Sequence, residues 1–190
     1  MSRLHAAEHR SLRELYAAAR YLVDRWERLA KRLGEDALRE GAAAARELLG
    51  ELSKRTAEHG LHGWPAAVGV GNRAAGLRRF GDVLLERNQA LRYAVLDAET
   101  VTTLLAYLAV LADTRGDADL AAWERGWEAR MRAAGDRARD AAAAAGRDPD
   151  GAIAPAEPGR FGRAGHSLAV GIGTIGEAID GSRAAARRRC

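Results

Sequence analysis

Cysteine occurs once in the 190 residues, at Cys190, so no disulfide can form within the chain. Proline occurs four times, at Pro65, Pro149, Pro155 and Pro158, and none falls in the long periodic stretches. Helices can therefore run through those stretches without a break. Aromatic residues make up only 5%, and much of the 47% apolar fraction is alanine, which favours closely approaching helices. Lysine is almost missing. Lys31 and Lys54 stand beside 28 arginines, the mark of GC-rich bacterial coding rather than of a task. Long apolar runs are missing too: TLLAYLAVLA, from Thr103 to Ala112, is about half of what a membrane span needs. The first residues are polar and charged, unlike a signal peptide. A cytoplasmic protein with no transmembrane segment is the expectation.

A one-sided basic surface is also lacking. The formal charge is +4, but residues 1–60 mix 12 basic with 10 acidic side chains, and residues 116–150 mix 6 with 8. The excess comes largely from residues 151–190, with 6 basic and 3 acidic, ending in RAAARRRC. This pattern excludes a dedicated nucleic-acid face and no specific nucleic acid is expected as a partner.

What is present is helical periodicity. Glu8, Leu12, Leu15, Ala19, Leu22, Trp26, Leu29 and Leu33 step by four and three, predicting a helix from about Ser2 to Leu33. Gly34 offers a stop, and a second helix is predicted over Asp36–His59 on Leu38, Ala42, Ala45, Leu49, Leu52, Thr56 and His59. So short a turn makes the two antiparallel. Residues 60–71 form a Gly-rich connector. A third helix is predicted from near Asn72 to Thr114, with a possible break at Asp97, and its all-round apolar second half marks it as central. A fourth covers Ala118–Ala145, its inward positions grading from Leu120, Trp123, Trp127 and Met131 to alanines. The fold class is all-α: an antiparallel four-helix bundle over residues 1–146, with an additional short Gly-rich C-terminal helix. Residues 147–160 read as a Pro/Gly linker, and 161–190 as a segment packing on the bundle or a partner. Asn88, Thr102 and Glu99 are polar residues on or beside the third helix's apolar face and are expected to satisfy one another.

Four of the five histidines gather when the first two helices fold about Gly34. His9 and His59 each lie 25 residues from it, hence ~38 Å along their helices at ~1.5 Å per residue, with His5 and His62 close by. A metal site of His5, Glu8, His9, His59 and His62, for Zn or Fe, is the second functional expectation. HAAEH also spells H-x-x-E-H, but a peptidase needs a further ligand and a larger body. A ferritin-like di-iron site is excluded because no Glu-x-x-His occurs.

Two glycine patterns, GVGNRA and VGIGTIG, lack the strand and downstream acid that dinucleotide binding demands. Gly165, Ala169 and Gly173 instead repeat every four residues, a smooth face for close helix contact, with the Ala-rich end of the fourth helix as a natural acceptor. LAVGIGTIG, nine residues behind a Pro/Gly linker, resembles the tails that load cargo into encapsulin shells, though it is not terminal. With no catalytic motif in view, the leading expectation is a non-enzymatic bundle for assembly. Its protein partner or homo-oligomer contact would run through residues 161–190.

Overall fold

The computed structural model describes residues 4–58, 85–156 and 159. Four long helices fill it: α1 (Ala6–Leu33), α2 (Asp36–Glu58), α3 (Arg87–Arg115) and α4 (Ala118–Ala145). A single turn, α5 (Pro149–Ala152), follows. α1 and α3 stop at Gly34 and Gly116, whose φ values of 70° and 81° lie in the left-handed region open to glycine. Asp117 starts α4 by accepting the Leu120 N–H on its side chain.

Charged rungs give the arrangement. Arg25 meets Asp97 and Arg115 meets Glu8 between α1 and α3, while Arg139–Glu99 and Arg125–Asp113 join α3 to α4. Arg130–Glu47 and Arg137–Glu40 join α2 to α4, and Arg46 pairs with Glu27 across α1 and α2. In every helix pair with two rungs, numbers rise on one helix as they fall on the other, so those neighbours are antiparallel. The two-residue α1–α2 turn makes that pair antiparallel as well. The bundle is a square in the order α1, α2, α4, α3.

It follows that α2 ends where α3 and α4 turn at Gly116, whereas α3 begins beside Gly34. Glu58 and Arg87 therefore lie at opposite ends of the bundle, ~40 Å apart for helices of this length.

The core is one cluster of leucine and alanine from all four helices. Every seam position expected on α1 is buried. Trp26 is fully buried against Gly41 of α2, where any Cβ would overlap the indole ring. At Gly135 a Cβ would come 3.0 Å from that of Ala98, so α3 is the helix that closes on the small end of α4.

Several expectations are corrected. The third helix does not run on from Asn72 through residue 86: Glu86 is extended, its carboxylate capping the Gln89 turn, and it bridges to Pro155. Residues 72–84 of that expectation lie outside the described residues. No break occurs at Asp97, because its carboxylate is engaged by Arg25 at 2.7 Å rather than by helix N–H groups. Asn88 donates to Glu86 and to the Ala152 carbonyl, Thr102 donates to the Glu99 carbonyl, and the Glu99 carboxylate takes Arg139. Thr102 and Glu99 thus meet through the Glu99 backbone carbonyl, whereas Asn88 and the Glu99 carboxylate find partners elsewhere. On α4 the inward position is Glu124, while Trp123 is half-buried and donates to Glu51. Within 147–160, α5 and the following residues dock on the start of α3 through Arg87 N–H to Ala154 and Ala156 N–H to Leu85. Ala152 and Ala156 are buried there.

Candidate functional site

The Gly116 end collects the polar groups of the core. His5 is the N-cap of α1: its Nδ1 accepts the Ala7 N–H at 3.2 Å, and its own N–H donates to Glu8 Oε2 at 2.7 Å. This is a capping box, with histidine in the place where serine or threonine is usual. Glu8 is buried and also accepts from Arg115 Nε at 3.0 and 3.2 Å. Arg115 reaches Asp117 at 3.1 Å as well. The last residue of α3 thus covers Glu8 at the end of the α1–α2 hairpin away from Gly34.

Of the expected metal ligands, the structure brings His5 and Glu8 together but employs both in capping, and Glu8 also in an ion pair. A cation at Glu8 would have to displace a guanidinium. His9 is half-buried one residue on. His59 and His62 lie outside the described residues. Among the described residues no three His, Cys, Asp or Glu side chains converge to hold a metal ion.

The group that sequence reasoning missed is Glu124. It is fully buried, and neither carboxylate oxygen has a hydrogen-bond partner. Burial pushes its carboxyl up to about 8, and the charges of Glu8 and Asp117 push the same way, against a smaller pull from Arg115 and Arg125. At neutral pH it is mostly a neutral acid in the core. The signal was available: steps of four, three and four carry Leu120 through Glu124 to Trp127 and Met131. On the facing rung, the Trp123 and Trp127 indoles both donate to Glu51 Oε2 at 2.8 Å and hold that carboxylate below its ordinary range. Arg55 and Arg130 lie over the same two rings.

A cleft of about 630 Å³ lies at the Gly34 end, lined by Arg32, Glu35, Arg87, Asp148 and the alanines of α4 and α5. The Arg87–Glu35 pair at 2.6 Å ties it shut on one side. Among the described residues, no unpartnered polar side chain of the core opens into it.

The outer face of α3 is the other feature that was missed. Tyr93, Leu96, Thr100, Thr103, Tyr107 and Val110 step by three and four along it, and all are exposed, Leu96 at 56% and Val110 at 61%. Thr100 donates its hydroxyl back to Leu96, so that polar demand is met inside the helix. No charge interrupts the stripe over ~26 Å. α3 is therefore a corner of the square and not a central helix. By length and composition alone it could cross a membrane, and only 39% of its most apolar window is buried. A core helix passes the same test. Comparison of the chain with protein-family models, with curated proteins and with solved structures returns no match.

Proposed function

We propose that this chain is a non-enzymatic helical bundle of the cytoplasm that works by assembly or partner binding, with residues 161–190 as its contact element. The observation that carries the reading is the uncharged outer face of α3. An aligned row of Tyr93, Leu96, Tyr107 and Val110 facing outward is what an interaction surface looks like, rather than apolar residues scattered singly. The buried charged pairs, Glu8–Arg115 and Arg25–Asp97, have structural employment: each ties α1 to α3.

The test is light scattering and urea unfolding of the full chain beside a chain ending at residue 160. Loss of 161–190 is expected to lower the association state or the unfolding midpoint. Two monomers of equal midpoint would remove the reading.

A further inference from the structure

The proposed function names a contact element but not what receives it. We infer that the outer face of α3, from Tyr93 to Val110, is the docking surface for the apolar run Leu168–Ile179 of the same chain. The inference rests on the reading of residues 161–190 as a contact element and adds its seat.

The first argument is where the chain leaves the described fold. Ala156 donates its N–H to Leu85, two residues before α3, so the tail departs at the head of the stripe. Leu168 is twelve positions beyond Ala156, a reach of up to ~40 Å, while Tyr93 lies ~12 Å along the axis from Leu85. A tethered segment at that distance sees its site at an effective concentration on the order of millimolar.

The second argument is pattern. Leu168, Ile172, Ile175 and Ile179 step by four, three and four, the same alternation as the α3 stripe. The third is charge. From Ala164 to Gly176 the tail has no Asp, Glu, Lys or Arg, so that Glu177 is the one such charge within Leu168–Ile179, and the stripe it would cover has none. Residues 59–84 are also uncharged from His59 to Asn72, but Arg73, Arg78, Arg79 and Asp82 break up the remainder.

The other acceptor suggested by the sequence, the alanine end of α4, is covered in part, and where Ala141 to Ala145 stay half-buried or exposed it offers only small side chains. Ala98 of α3 closes on Gly135. The cleft beside Ala141 and Ala145 is lined by Ala152 and Ala156 of the docked segment.

The experiment places photoreactive benzoylphenylalanine at position 96 of the full chain and maps the cross-links by mass spectrometry. An equal mixture of ¹⁴N- and ¹⁵N-labelled chains separates links within a chain from links between chains. Links within one chain to residues 165–180 are expected, at a yield independent of protein concentration. Ile172→Asp with Ile175→Asp should lower that yield about tenfold or more, because two carboxylates would have to be desolvated, while helicity stays unchanged. Links to residues 59–84, links to a second copy, or no links to the tail would each overturn the inference. If truncation at residue 160 has its effect but the links fall elsewhere, the contact element survives and only this seat is lost. If truncation changes nothing, the proposed function itself fails.

Discussion

Glu124 sits where the core seam of α4 calls for an apolar residue, and its isolation there has a measurable sign. An unfolded glutamate titrates near 4.5, whereas the buried one is pushed up to about 8. Between those pH values the native chain holds one more proton than the unfolded chain. This group's contribution is therefore fully present below pH 4.5 and is lost as pH rises through 8, at up to about 1.4 kcal/mol per unit. Urea unfolding at pH 5, 6.5 and 8 should show Glu124→Gln with a shallower decline than the parent chain; equal slopes would contradict the assignment. Arg25–Asp97 behaves differently, because its partners satisfy each other. Asp97→Ala should destabilise by about 3–5 kcal/mol, and Arg25→Met with Asp97→Leu should recover most of that loss, read from unfolding midpoints. Glu8 was legible as a seam residue because its spacing from Leu12 and Leu15 is regular. Glu124 was not, because an apolar neighbour, Trp123, drew the α4 seam one position aside. The indole of Trp123 in fact lies at the rim, donating to Glu51.

At the scale of elements, α1, α2 and α4 could be read from the chain almost to their ends, since local signals set them, among them Gly34 as the left-handed stop of α1 and Asp117 as the cap of α4. α3 could not. Its start depends on Glu86 pairing with Pro155, far away in sequence, and no local pattern announces that contact. Its apolar circumference suggested burial on all sides, but a square bundle gives each helix only two neighbours and leaves an outer face. Because that face makes little contact within the described fold, Leu96→Asp with Val110→Asp should change the stability of the 1–160 chain by no more than about 1 kcal/mol. In the full chain the same pair should cause a clearly larger loss, as buried apolar contact with the tail is removed. Equal effects in both chains, measured by urea unfolding, would mean that the tail does not touch this face. The Pro/Gly stretch after α4 shows a related limit. Its composition reads as a spacer, but Ala152 and Ala156 find a seat against the start of α3.

For the whole molecule, the helix count and the hairpins followed from periodicity and short turns, but the connection between hairpins did not, because chain length permits both routes. The ion-pair rungs decide it and place the start of α3 beside the departure point of the tail. That juxtaposition gives the central claim, that the C-terminal segment and the outer face of α3 form one contact. Hydroxyl-radical footprinting tests it most directly, since Tyr93, Leu96 and Tyr107 are reactive reporters along the stripe. The full chain should show these three residues protected, and the chain ending at residue 160 should show them oxidised several-fold faster, with the core Leu91 and Leu105 unchanged in both. Equal oxidation of Tyr93, Leu96 and Tyr107 in the two chains would contradict the claim.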